Sequence, residues 1–255
     1  ISASGLAYSK PIGTVMLADM AKIRPQWMGS VPRIWEAIRA GIYRNVKIQG
    51  GIKLALFNFF VTVGGAHERL AQMLSGRIAD FKKRIRVLDS IVAFLPWLLL
   101  LPLRALGNVL VFGKIKAKLG GRFIVGVSAG GSLPPAVDGF FGAASIKLLE
   151  GYGLTETAPV IAIRRQSKMI PGTVGTVLPG TECRILAEDG SVLPPGETGV
   201  IYVRGPQIMK GYYKRPDATS AVIDKDGWFN TGDLGMISHR GELKITGRMK
   251  DTIVL

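Results

Sequence analysis

A long, almost uncharged segment in the middle of the chain constrains the fold most. Between Asp89 and Lys114 the only charged residue is Arg104. The nearly uncharged stretch is therefore long enough for a membrane-spanning helix. Two prolines, Pro96 and Pro102, and the arginine itself are costly in a helix that faces lipid. Three structures therefore stay open: a buried helical hairpin that lines an apolar cavity, an interfacial helix on a membrane surface, and a transmembrane helix.

The charge of the chain is unevenly distributed. Of a formal net charge of +15, residues 1–122 carry 19 Lys/Arg against 5 Asp/Glu, and residues 123–255 carry 14 against 13. The basic half is also the apolar half, which suits an anionic membrane surface better than a nucleic acid. Aromatic residues are not interleaved with the cations as a base-stacking surface requires. We therefore predict that residues 51–119 face an anionic membrane surface and that no nucleic acid is bound.

Cysteine usage and the first residues bear on the compartment. A single cysteine, Cys183, excludes an intrachain disulfide framework and fits a reducing compartment. No signal peptide is visible at the start of the sequence, and the first residue is Ile1 rather than methionine. We expect a piece of a longer cytoplasmic protein, peripheral on the inner face of the membrane.

The pattern of apolar runs and turns predicts an α/β fold in several parts. Residues 1–170 are expected to form an incomplete α/β subdomain with a helical apolar and basic insert at about 51–119, including a basic helix from Glu68 to Val87. Short strands predicted at 182–186, 199–203 and 242–246, separated by turns, indicate a small β-barrel-like subdomain over residues 171–247. Residues 248–255 are expected to be a hinge.

Several residues outside the motifs are assigned structural roles. Trp35, on a helix opened by Ser30, is expected to pack in a core, with the lining of an acyl tunnel as its alternative. The pair Arg164 and Arg165 is expected in a solvated loop. The two histidines lack the spacing of a zinc site, so no structural zinc is predicted.

Three separated motifs carry the chemistry. They are SAGGSLP at 128–134, EGYGLTET at 150–157, and WFNTGDLG at 228–235, the last followed by GRMKD at 247–251. Glycines after a strand let the backbone approach a flat ligand closely, and loops at the carboxyl ends of strands bind ligands in α/β sheets. Each motif alone is also compatible with an ordinary turn.

The residue types in these motifs suit a nucleotide with its metal ion. Tyr152 can stack on a base, Thr155 can donate to a phosphate oxygen, and Glu156 can hold a Mg²⁺ ion that bridges phosphates. Asp233 can accept hydrogen bonds from two vicinal ribose hydroxyls, with Arg248 as a nearby cation.

Together these elements resemble the adenylate-forming superfamily, which contains acyl-CoA synthetases, luciferases and the adenylation domains of peptide synthetases. The order and spacing of the three motifs make the match specific. Val31–Glu36 (VPRIWE), the insert before the glycine turn, and Ala158-Pro159 are most similar to bacterial long-chain fatty acid–CoA ligases. The resemblance implies a fragment of the large N-terminal domain of such an enzyme, a mixed α/β sheet with a β-rich subdomain.

The resemblance assigns a role to each motif position. It places Gly130, Gly131 and Ser132 against adenine, with Tyr152 packed on the base. Gly153 belongs to the same nucleotide-binding loop.

Five further positions match the catalytic, ribose and hinge elements of the family. Thr155 contacts the α-phosphate and Glu156 binds Mg²⁺; these two are the catalytic residues of this part. Asp233 accepts the ribose hydroxyls with Arg248 as second partner. Lys250 falls at the hinge about which the small C-terminal domain rotates.

The implied reaction uses ATP, Mg²⁺ and coenzyme A to convert a long-chain fatty acid into acyl-AMP and then acyl-CoA. The phosphate loop expected upstream and the C-terminal domain with its lysine have no match in the chain, so this piece alone is expected to be nearly inactive. Two alternatives stay open. One is a fatty acyl-AMP ligase or acyl–carrier-protein synthetase, and the other a non-catalytic membrane-associated module that binds nucleotide or lipid.

Overall fold

The computed structural model describes residues 5–249, which form a mixed α/β structure in two compact units. The helical unit contains the described residues up to Gly76, Arg86–Ser128 and Leu133–Leu148. The β unit contains Arg77–Ile85, Ala129–Ser132 and the described residues from Leu149 onward. The α/β class is confirmed. The boundary predicted between residues 170 and 171 stays a prediction.

The helical unit combines six helices with two parallel strands. Its elements are α1 (Gly13–Ile23), β1 (Trp27–Ser30), α2 (Pro32–Gln49), α3 (Gly51–Leu74), α4 (Arg86–Gly107), a π-helical turn (Asn108–Phe112), α5 (Gly113–Lys118), β2 (Val125–Ser128) and α6 (Pro135–Ala143). Strand β1 pairs with β2 in a register that sets Trp27 beside Val125.

Aromatic side chains build the core of this unit. Trp35 of α2 is fully buried, and its ring lies 5.6 Å from that of Phe141 in an edge-to-face arrangement. Gly126 makes room for it, because a Cβ there would lie 2.4 Å from the indole. The predicted packing role of Trp35 is thus confirmed. Ser30 is not the cap of α2: it ends β1, and the N-cap is Val31, without a side-chain hydrogen bond.

The predicted basic helix from Glu68 to Val87 is wrong. Helix α3 ends at Leu74, and α4 begins only at Arg86. The break has a local cause: Gly76 adopts a φ of 62°, a left-handed conformation that ends a helix. The basic residues between the two helices therefore do not lie on a helix face.

The apolar segment forms a helix that packs along α3 but is mostly exposed within this chain. Among the described residues, Arg86–Lys118 is one helix long and apolar enough, by length and composition only, to cross a membrane. The described α4 residues that are buried are Ala93, Arg104 and Gly107. One neighbouring helix covers only one face, so large side chains such as Ile91 and Leu99 stay about two-thirds exposed. The buried-hairpin alternative is therefore wrong for this chain, whereas both membrane alternatives stay predictions.

The β unit is an antiparallel sheet. Its elements are β3 (Lys147–Tyr152, of which the part from Leu149 belongs to this unit), a 3₁₀ turn (Thr155–Thr157), β4 (Ala162–Ile163), β5 (Gly175–Val177), β6 (Glu182–Leu186), β7 (Gly199–Arg204), α7 (Pro216–Ser220), β8 (Phe229–Ile237) and β9 (Glu242–Arg248). Strand β3 pairs with β4 through Gly151 and Tyr152, and the order continues β5-β9-β8-β7-β6. The strands predicted at β6, β7 and β9 are confirmed. Closure into a barrel stays a prediction.

Candidate nucleotide-binding site

The tight turn after β3 presents two of the candidate residues. Gly153 is required by a close backbone approach, because a Cβ there would lie 1.7 Å from the Pro159 carbonyl oxygen. Thr157 is buried, and its hydroxyl accepts the Leu154 N–H at 3.0 Å, which closes the turn. With Thr157 turned inward, Thr155 is exposed and Glu156 partly exposed.

The register of β8 and β9 brings together three candidates that are distant in sequence. Asp233 lies opposite Arg248, next to a bulge between Leu234 and Gly235. The Tyr152 hydroxyl donates to Asp233 Oδ2 at 2.8 Å, and Arg248 Nε lies 3.0 Å from Asp233 Oδ1. Tyr152, Asp233 and Arg248 therefore form one connected group, as a shared nucleoside pocket requires.

The electrostatics of this group keep the tyrosine in its donor form. Burial, together with the neighbouring Asp233 carboxylate, raises the pKa of Tyr152 well above its ordinary value. The hydroxyl is therefore protonated throughout the physiological range. Asp233 is only 8% exposed and retains lone pairs for further donors beyond Tyr152 and Arg248.

A cavity of about 410 Å³ opens beside this group in the β unit. Its described lining comprises Ala129, Gly130, Gly151, Tyr152, Gly153, Leu154, Thr155, Glu156, Pro159, Val160 and Arg248. The lining does not include Gly131, Ser132 or Asp233. Asp233 is connected to it through Tyr152 and Arg248, which both line the cavity. Lys250, the predicted hinge, lies outside the described residues.

Tyr212 is a contact of the site that the sequence did not reveal. Its hydroxyl donates to Glu156 Oε1 at 2.9 Å, and this hydrogen bond raises the pKa of Tyr212. The Met209 N–H donates to the Glu156 carbonyl oxygen at 2.8 Å. Glu156 is thus held at both its side chain and its main chain by one downstream loop.

A buried ion pair supports the strand that leads into the site. Arg164 is 2% exposed; its Nη2 lies 2.7 Å from Glu150 Oε2, and its Nε donates to the Thr173 carbonyl oxygen at 2.5 Å. The prediction of a solvated loop is wrong for Arg164, because a buried carboxylate requires a cation inside the protein. Arg165 is exposed, as predicted.

The donor set suits a Mg²⁺ ion that is shared with a nucleotide. The described residues contain no group of three or more His, Cys, Asp or Glu that could hold a metal ion. Glu156, which carries a carboxylate, and Thr155, which carries a hydroxyl, both line the cavity. Since Mg²⁺ is commonly bound by one or two carboxylates plus substrate phosphates and water, one carboxylate at a nucleotide pocket fits it.

The chain belongs to the AMP-binding enzyme family, whose sequence pattern matches residues 6–213. The family resemblance recognised in the motifs is thereby confirmed.

Curated relatives activate fatty acids for different acceptors. A chloroplastic long-chain-fatty-acid–[acyl-carrier-protein] ligase of Arabidopsis thaliana is 38% identical, over 93% of this chain and 35% of its own length. The peroxisomal long chain acyl-CoA synthetase 6 of the same plant is 35% identical, over 94% of this chain and 31% of its own length. The chain thus spans about a third of the relatives it matches.

The fold is also found in a solved structure. ATP-bound MatB from Rhodopseudomonas palustris is 35% identical with a TM-score of 0.51, over 54% of this chain and 28% of that one.

Proposed function

We propose that this chain supplies the nucleoside-binding part of an ATP-dependent enzyme that activates a long-chain fatty acid as acyl-AMP and transfers the acyl group to coenzyme A. The carrying observation is the connected group of Tyr152, Asp233 and Arg248 at a cavity that also contains Thr155 and Glu156. A non-catalytic module would not need the acidic residues, and both Glu156 and Asp233 are present and held in place.

Each residue has a definite part in this reaction. The fatty carboxylate attacks the α-phosphate of ATP, pyrophosphate leaves, and a thiol then displaces AMP from the acyl carbon. Asp233 and Arg248 orient the ribose, Tyr152 packs on the base, and the Thr155 hydroxyl donates to the α-phosphate. Glu156 would hold Mg²⁺, which neutralises charge that spreads over the phosphates.

The function is tested by pyrophosphate release with palmitate and ATP in the full-length protein that contains this chain. We expect release that depends on both substrates and falls at least about 100-fold in Glu156→Gln, as when a group that stabilises transition-state charge is removed. Glu188→Gln, an exposed turn residue, is the matched control. Unchanged turnover in Glu156→Gln would refute the assigned role.

The 255-residue chain by itself is expected to be nearly inactive in the same assay. Of the described cavity lining, only Arg248 is a cation, which is little compensation for the charge of a triphosphate. Turnover near that of an ordinary enzyme, about 10 per second, would contradict this expectation.

Transfer to a carrier protein is a second candidate for the thiol step. It is favoured by the 38% identity to a fatty acid–[acyl-carrier-protein] ligase over nearly the whole chain. Supplying the full-length protein with either free CoA or holo acyl carrier protein separates the two. If the thioester forms only on the carrier protein, the carrier protein and not CoA is the acyl acceptor.

We also propose that the protein is cytoplasmic and binds peripherally to an anionic membrane surface through residues 51–119. The support lies in the helical unit, where exposed apolar residues of α4 are flanked by the exposed cations Arg86, Lys114 and Lys118.

Liposome sedimentation tests this proposal. The protein is expected to pellet with liposomes that contain anionic lipid and to be released by high salt, because screening removes the electrostatic attraction. Equal recovery with neutral liposomes would contradict the electrostatic part, and no pelleting with either would contradict the whole.

A further inference from the structure

The loop between β7 and α7 contacts Glu156 at two points. The Met209 N–H binds the Glu156 main-chain oxygen at 2.8 Å, and the Tyr212 hydroxyl binds Glu156 Oε1 at 2.9 Å. The first contact holds the main chain of the turn in place, and the second orients the carboxylate. This loop therefore acts on the one carboxylate in the described cavity lining.

Tyr212 is itself anchored on its other side. The Tyr212 N–H donates to Thr219 Oγ1 at 2.9 Å. The Thr219 hydroxyl in turn donates to the Arg215 carbonyl oxygen at 2.9 Å. Gly211 precedes it with a φ of 146°, and a Cβ there would lie 2.8 Å from Thr219 Cγ2. These contacts set the main-chain position from which the phenol reaches Glu156.

The hydrogen bond leaves the carboxylate free to bind a cation. A glutamate side chain has three rotatable bonds, and a donor on Oε1 restricts them while Oε2 stays available. Hydrogen bonds to a metal-binding carboxylate from residues behind it orient that ligand and strengthen metal binding.

We propose that Tyr212 is a positioning residue that holds the Glu156 carboxylate in the orientation required for a divalent cation shared with the nucleotide. This inference rests on the proposed function, because it takes Glu156 as the metal ligand. Tyr212 does not line the described cavity, so its effect is transmitted through Glu156.

The test compares Tyr212→Phe with Tyr213→Phe in the full-length protein. Tyr213 is the adjacent tyrosine, 86% exposed, and its ring lies 5.3 Å from Lys214 Nζ. Mn²⁺ binding is followed by electron paramagnetic resonance in the presence of a non-hydrolysable ATP analogue, and binding of the analogue without metal is measured separately.

Tyr212→Phe is expected to raise the Mn²⁺ dissociation constant by about tenfold, the lower end of the effect of such supporting hydrogen bonds. Metal-free binding of the analogue should not change, and Tyr213→Phe should behave as the native protein. A general loss of structure would instead weaken both kinds of binding. Thr219→Val, which removes the anchor but keeps the phenol, should shift Mn²⁺ binding in the same direction by a smaller factor.

Two results would overturn the inference in different ways. If Glu156→Gln weakens Mn²⁺ binding while both Tyr212→Phe and Thr219→Val bind it as tightly as Tyr213→Phe, the role of Tyr212 is wrong and the proposed function stands. If Glu156→Gln itself binds Mn²⁺ normally, the metal site lies elsewhere, and the inference fails together with that part of the proposed function.

Discussion

Arg164→Met should lower the free energy of unfolding by about 3–5 kcal/mol, the usual cost when one member of a buried ion pair is removed. The substitution leaves the Glu150 carboxylate, 6% exposed, without the guanidinium 2.7 Å away, and it removes the hydrogen bond to Thr173. Methionine fills much of the same volume, so the loss measures the charge and the hydrogen bonds rather than a cavity. Urea denaturation of the 255-residue chain provides the measurement.

Two further variants distinguish a buried pair from a general defect. Arg165→Met removes the exposed neighbour and should change stability by less than about 0.5 kcal/mol. The double variant Glu150→Met/Arg164→Met should recover much of the loss, because a buried pair replaced by apolar residues is often neutral. An Arg164→Met protein as stable as Arg165→Met would show that the pair contributes nothing.

Asp233→Asn should weaken AMP binding by about thirtyfold, or about 2 kcal/mol, as expected for the loss of charged hydrogen bonds in a pocket. The amide has nearly the shape of the carboxylate, but it carries no negative charge to hold Arg248. Its NH₂ group, unlike a carboxylate oxygen, cannot accept a hydrogen bond from the Tyr152 hydroxyl. Calorimetric titration of AMP into the full-length protein measures the change.

Asp189→Asn is the matched control for this prediction. Asp189 is an exposed turn residue that accepts the Ser191 N–H at 2.9 Å, a contact that asparagine can also make. Thermal melting of both variants shows whether either has lost its fold. Equal AMP affinities in Asp233→Asn and Asp189→Asn would remove Asp233 from the nucleoside pocket.

Local signals in the sequence predicted several strands and the cavity loops, but they missed the helix break at Gly76. Turn residues and alternating apolar positions located strands β6, β7 and β9, because the hydrogen bonds and packing of a hairpin involve near neighbours. Glycine-rich motifs located the cavity loops for a similar reason: Gly153 sits where the backbone leaves no room for a side chain. The spacing of the motifs predicted the family, and the structure places Tyr152, Asp233 and Arg248 in contact.

What the sequence did not reveal depends on distant partners. Tyr212 contacts Glu156 across 56 residues, and nothing near either residue indicates the other. Charge by itself predicts solvent exposure, whereas the burial of Arg164 follows from its ion pair with Glu150 of β3. Composition left the exposure of α4 open, because it reports how apolar a helix is and not how many neighbours cover it.

The turn between Gly153 and Pro159 has a consequence for the way a ligand would bind. A close backbone approach and the Thr157 hydroxyl set its shape, so the main chain at Thr155 and Glu156 needs little further ordering. A preorganised site loses little conformational entropy on association. Differences in affinity among related nucleotides should therefore arise mainly from how slowly they leave.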